Sequence, residues 1–152
     1  GLKKSDNSIL KKDTSLKSQG GPLLIILLFT LISFLVDPIL KCPKFNSGGK
    51  NLCNSESLLL IIFMHHFLVC FAYLGWLFNN PAILFLYLLM PPVIFLHWKT
   101  NDNMCIFTQK INDECGEDYK FHHIFDSLPS SIKYGVGGCG YLYGLYKFVK
   151  IM

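Results

Sequence analysis

Polar and apolar residues fall in long blocks along this chain and do not alternate. Residues 1–21 are polar and lysine-rich with no sustained apolar period, which predicts a flexible or surface-lying tail ending at Gly20-Gly21. Pro22 opens an apolar run, Leu23 to Leu40, interrupted only by Asp37-Pro38. The second run, Leu58 to Phe78, contains no Asp, Glu, Lys or Arg, and as a helix it spans roughly 31 Å. Asn79-Asn80-Pro81 is a turn signal short enough to force an antiparallel hairpin. The third run, Ala82 to Trp98, carries Pro91-Pro92, expected to kink the helix or loosen one turn. A fourth, Ile132 to Met152, is interrupted by five glycines and three lysines. Membrane helices tolerate glycine, and Gly140-x-x-x-Gly144 is a small-residue packing face.

This pattern predicts an all-α integral membrane helical bundle of three or four transmembrane helices, with spans near 22–40, 58–78, 82–98 and 132–149. Composition agrees: 51% of residues are hydrophobic and 16% charged, against about a quarter charged in soluble domains. A basic tail before an apolar run resembles a signal peptide, but no small-x-small cleavage site follows, so a retained helix is expected.

Charge placement gives an orientation. Lys3, Lys4, Lys11, Lys12 and Lys17 precede the first span, and Lys147 and Lys150 close the fourth. The segment from Lys99 to Ser131 is predominantly acidic. The positive-inside rule then puts the N-terminus in the cytosol and, with four spans, the C-terminus too. Loops 41–57 and 99–131 fall on the opposite side. All basic residues are lysine and the net charge is only +4, which argues against nucleic acid as a partner. The expected partners are the lipid bilayer and other membrane subunits.

Four cysteines, Cys42, Cys53, Cys105 and Cys115, fall in those two loops, whereas Cys70 and Cys139 lie within spans. An oxidising far side would allow disulfides there, with Cys42–Cys53 and Cys105–Cys115 the local pairing among three connectivities. Neither pair has the spacing of a zinc knuckle. Gly1-Leu2-Lys3-Lys4-Ser5 fits a myristoylation signal if an initiator Met is removed, with the lysines as a second membrane signal. Gly135 to Gly140 spells a dinucleotide fingerprint, but none of residues 141–152 is the acid that it requires, so a glycine-lined helix contact is expected. The acidic stretch Asp113 to Asp118 lacks a calcium-hand pattern and reads as a solvated loop.

Histidines carry the candidate chemistry. His65 and His66 sit inside the second span, where an ionisable side chain is costly and by default functional. His97 ends the third span, and His122-His123 lies in the loop beyond. His65, His66 and His97 are candidate haem ligands, but His66 lies roughly 12 Å below the end of its helix and His97 about 3 Å, an offset that does not suit one iron. Pairing of His65 or His66 with Asp37, or with a neighbouring helix, is the simpler expectation.

His65-His66, Gly75-Trp76, His97-Trp98-x-Thr100-Asn101-x-Asn103-x-Cys105-x-x-Thr108 and Asn112-x-x-Cys115-Gly116 together resemble a group of small membrane proteins from large DNA viruses and protists. The layout is also similar to that of a bacterial four-span membrane family of unknown function. The resemblance covers roughly residues 58–125 and implies architecture, not activity. Within it, Thr100, Asn101, Asp102 and Asn103 are cap and turn residues fit to satisfy backbone groups at a helix end. No complete catalytic constellation is legible, so the expected function is a non-enzymatic structural or accessory subunit of a larger membrane assembly, in a virion or an organelle, without a cofactor. The alternatives are a haem or redox carrier on the span histidines, and a small transporter or channel subunit using His65, His66 and Asp37 as a proton relay.

Overall fold

The computed structural model describes residues 6–37, 56–115 and 121–152, with side chains described over 19–37, 58–113 and 121–152. Gly1, Cys42 and Cys53 lie outside the described residues, as does the side chain of Cys115. Helix α1 runs Asp6–Val36, α2 Glu56–Leu74, α3 Pro81–Thr100, α4 Ile106–Cys115 and α5 Ser130–Ile151, with single 3-10 turns at Gly75–Leu77 and Ile124–Ser127. The described residues are helical, joined by turns and short loops, with no strand among them.

Three stretches are long and apolar enough to cross a membrane: Gln19–Val36, Leu58–Leu77 and Pro81–Thr100. The fourth expected span forms a 22-residue helix, α5, but its glycines and lysines keep it out of that set. The first helix starts earlier than the pattern suggested, since the segment read as a tail is helical from Asp6. An apolar helix already nucleated extends backwards through Lys, Ser and Asp at a few tenths of a kcal/mol per residue. Asp37, which precedes Pro38, ends the helix because the proline ring disfavours helical geometry in the residue before it.

Polar side chains stand among the apolar ones inside the bundle, and large apolar side chains are exposed outside it. Thr30, Ser33 and Asp37 on α1 and His66 on α2 are buried, while Leu24, Leu28, Leu31 and Leu35 are exposed. Ile26, Thr30, Ser33 and Asp37 recur at helical spacing and form the stripe of α1 that faces inward. The Thr30 hydroxyl donates to the Ile26 carbonyl at 2.7 Å, which satisfies it within its own helix.

Helices α2 and α3 form the expected hairpin. Asn80 caps α3, its side-chain oxygen accepting from Ala82 N at 2.9 Å and Ile83 N at 3.3 Å, and Pro81 takes the first helical position. The helix continues unbroken through Pro91-Pro92. Each proline lacks an N–H, so Pro92 leaves the carbonyl four residues back, that of Leu88, without its helical donor. Tyr141 of α5 supplies the replacement, its hydroxyl donating to Leu88 O at 3.2 Å.

Helix α5 closes over the turn end of this hairpin. Gly140 and Gly144 are buried; a Cβ at Gly140 would lie 2.5 Å from Trp76 Cδ1, and one at Gly144 2.8 Å from Tyr87 Cε1. The Trp76 indole is itself held by donation to Tyr73 O at 2.9 Å, so it cannot swing aside freely. Lys147 donates to the Trp76 and Phe78 carbonyls at 3.0 and 2.6 Å, satisfying acceptors at the end of α2.

The loop after α4 does not lie wholly outside the bundle. Phe125 is buried, stacked on Tyr73 with ring centroids 4.3 Å apart and on Phe29 at 6.2 Å. Irregular backbone among apolar helices needs its polar groups satisfied from the protein. Here Ile124 N donates to Ser33 Oγ at 3.1 Å, His123 N to Asp126 Oδ2 at 2.9 Å and Leu128 N to Phe125 O at 3.1 Å. Asp126 is in turn anchored by Lys133 at 3.1 Å.

Two substitutions separate shape from polarity in this packing. Gly140→Leu overpacks the Trp76 contact and should lower stability by about 1–3 kcal/mol, read as a lower thermal midpoint in detergent. Tyr87, whose buried hydroxyl has no partner, should tolerate Tyr87→Phe with no loss or a gain of up to about 1 kcal/mol.

Candidate functional site: a chain of imidazoles between a thiol and a carboxylate

The end of α3 is built to turn the chain back sharply. Asp102 and Asn103 adopt left-handed backbone, with φ of 49° and 58°, a conformation that Asn and Asp tolerate better than other side-chain-bearing residues. Asn103 N donates to Trp98 O at 2.8 Å, the Thr100 hydroxyl to Leu96 O at 3.0 Å, and the Asn101 amide to Met104 O at 2.9 Å. The first of these satisfies a carbonyl that the helix end leaves free, and the other two tie the turn together. The reversal delivers Cys105 to the start of α4, where its carbonyl accepts from Gln109 N at 2.9 Å. His97 then caps the new helix, its Nε2 accepting from Ile106 N at 3.1 Å.

Cys105 carries a free thiol, which overturns the expected Cys105–Cys115 bridge. The two cysteines stand at opposite ends of α4, about 15 Å apart along its axis, whereas a disulfide requires Cα atoms within about 7 Å. Cys70 and Cys139 are also free. Loop spacing alone could not reveal that a helix intervenes.

From Cys105 a line of contacts runs into the bundle. Its Sγ lies 3.5 Å from His65 Nδ1. His65 Nε2 lies 3.3 Å from His123 Nε2, and His123 Nδ1 lies 3.1 Å from His66 Nδ1. His66 Nε2 meets Asp37 Oδ2 at 2.9 Å, the pairing of a span histidine with Asp37 that the sequence suggested. Ser33 Oγ is 3.0 Å from His66 Nδ1. One proton assignment suits every link: the thiol donates to His65, His65 to His123, His123 to His66, and His66 to the carboxylate.

Aromatic packing fixes the rings. Phe121 stacks on His65 with centroids 3.8 Å apart and planes at 15°, and Phe34 meets His66 edge-on at 6.3 Å. His66 and Asp37 are fully buried, while His65, His123 and Cys105 are half-buried.

Beside this chain lies a cavity of about 450 Å³ between α2, α3 and α4. Leu68, Val69, Ala72, Val93 and Ile94 form its apolar wall, and His65, His97, Cys105 and His123 its polar end. His65 and His97 therefore share one cavity. His65 has both ring nitrogens in contacts, and His97 uses Nε2 on the α4 cap. Among the described residues, no group of three or more His, Cys, Asp or Glu side chains is disposed to hold a metal ion.

Sequence reasoning singled out His65, His66, His97 and Asp37 but missed three members of the site. Ser33 was legible as part of the polar stripe on α1. His123 was assigned to an outside loop, and Cys105 to a disulfide. No family model, curated protein or solved structure matches the chain.

His123 titrates unusually. Burial, and next the neighbouring His66, hold its imidazole down at about 4, against an ordinary 6.5. The unfolded chain thus binds this proton below about pH 6.5, while the folded one resists it down to about 4. The stability that neutral His123 provides is complete above that window and is lost as pH falls through it. Thermal midpoints should drop between pH 6.5 and 4, and His123→Gln should flatten that part of the profile.

Proposed function

We propose that this chain is a small multi-pass membrane protein that performs thiol chemistry on an apolar substrate. Cys105 is the nucleophile, and the His65–His123–His66–Asp37 chain accepts its proton. The observation that carries this reading is the unbroken line of contacts from the Cys105 sulfur to a buried carboxylate. A thiol attacks well only as its anion, and an adjacent imidazole oriented by a further group is a recurring means of forming it. Each imidazole here uses both nitrogens. A proton taken at His65 Nδ1 can therefore be matched by release from Nε2 towards His123, and the excess positive charge is drawn towards Asp37. The charge left on sulfur sits at the amide end of α4, which favours an anion.

Membrane embedding is supported by three long apolar helices and by an exterior that exposes many leucines. Ionisable groups at that depth are expensive and usually functional. An accessory structural subunit would account for the apolar exterior, yet gives no reason to bury a carboxylate and an imidazole beside two further histidines. The contacts span from Asp37, at the end of α1, to Cys105, just past the end of α3. A line that joins a thiol to a buried carboxylate favours local proton transfer over conduction across the bundle.

Alkylation of Cys105 by N-ethylmaleimide, followed by mass spectrometry in liposomes, tests this reading. Asp37→Asn and His66→Ala should each slow the reaction about tenfold or more, while helical content by circular dichroism stays unchanged. Equal rates in wild type and both variants would refute it.

A further inference from the structure

We infer that Cys105 is an acylation site that takes a long hydrocarbon acyl group from a donor ester or thioester and holds it in the adjoining cavity. Because the inference rests on the proposed thiol chemistry, it names the substrate class for the same site. Three observations lead to it. First, the Cys105 sulfur and its proton acceptor His65 both stand on the wall of one cavity. Second, apart from His97, His123 and Asp126 the remaining wall is aliphatic and aromatic, and among the described residues no Lys side chain lines it to receive a phosphate or carboxylate. At about 450 Å³ the space lies within the range of small-ligand pockets. Third, Val93 and Ile106 on that wall are 58% and 56% exposed, so the cavity opens sideways, where lipid chains lie around an embedded bundle.

The contacts of the sulfur supply the groups that acyl transfer requires. Acyl transfer needs only a thiol, a base and a carbonyl carbon. The sulfur attacks the donor carbonyl as His65 Nδ1 takes its proton, forming the new carbon–sulfur bond. Collapse of the tetrahedral intermediate breaks the bond from that carbon to the donor's oxygen or sulfur. The proton held on the imidazole chain passes to the leaving group, which departs as an alcohol or a thiol. The sum is R–CO–X–R′ plus Cys105–SH giving Cys105–S–CO–R plus R′–XH, with X either oxygen or sulfur.

A lipid ester within the bilayer and a soluble acyl thioester offer the same chemistry. The full chain is therefore reconstituted in liposomes in two arms, one with alkyne-tagged palmitoyl phosphatidylcholine in the bilayer, the other with alkyne-tagged palmitoyl-coenzyme A added outside. The expected result is a hydroxylamine-sensitive label on Cys105 in at least one arm, and the productive arm identifies the source. Cys105→Ala should abolish the label. Ala72→Phe, which fills the cavity away from the sulfur, should reduce palmitoyl labelling about tenfold or more while leaving N-ethylmaleimide alkylation of Cys105 unchanged. An acetyl donor should react at least about tenfold more slowly than the palmitoyl donor. The inference falls if neither arm labels Cys105, if the label survives Cys105→Ala, or if Ala72→Phe or chain length makes no difference. Intact, Asp37-dependent maleimide reactivity alongside any of those outcomes leaves the thiol chemistry standing and removes only the acyl substrate. Loss of that dependence removes the thiol chemistry itself.

Discussion

A carboxylate with no water around it constrains this bundle more than any other group. Asp37 is fully buried at the end of an apolar helix, and an isolated ionised carboxylate in such surroundings is untenable without a partner. His66 supplies one at 2.9 Å, and in doing so it fixes the register between α1 and α2. The partner must itself be satisfied on its other nitrogen, which brings in Ser33 and His123. His123 can reach that nitrogen only if the loop before α5 enters the bundle. The polar stripe of α1, the histidine pair of α2 and the course of residues 121–127 are thus consequences of one requirement.

The same requirement explains why the loop holds its shape inside an apolar setting. Its first turn is closed by Asp126, which accepts the His123 amide and the Lys133 ammonium. Its apolar residue, Phe125, fills the space between Phe29 and Tyr73. Polar and apolar contacts alternate along the segment, so neither set alone would hold it.

Much of the scaffold was readable in the sequence, because helices fit to cross a membrane are marked by length and apolarity and both can be counted. The spans of α2 and α3 follow from runs without charge, and the turn after α3 from Thr100 to Asn103. The Asp37–His66 pair was also within reach, since two ionisable groups in neighbouring apolar runs have few other partners. What the residues did not reveal was tertiary. Residues 121–127 are polar enough to pass for an external loop, and nothing local says that they fold inwards. Cys105 and Cys115 looked like a staple because a loop was assumed where a ten-residue helix stands. The helical stretch before Pro22 was hidden by residues that favour neither state strongly.

The proline pair in α3 also has a bearing on how the molecule is made. Synthesis proceeds from the N-terminus, so the α2–α3 hairpin leaves the ribosome before α5. Until α5 arrives, Pro92 leaves the Leu88 carbonyl without its helical hydrogen bond, a free acceptor within a long apolar helix. Tyr141 provides that donor late, from a helix that emerges after the hairpin. The hairpin is therefore an incomplete intermediate by construction, and α5 is recruited by a vacancy in the backbone as well as by the groove that its glycines fit.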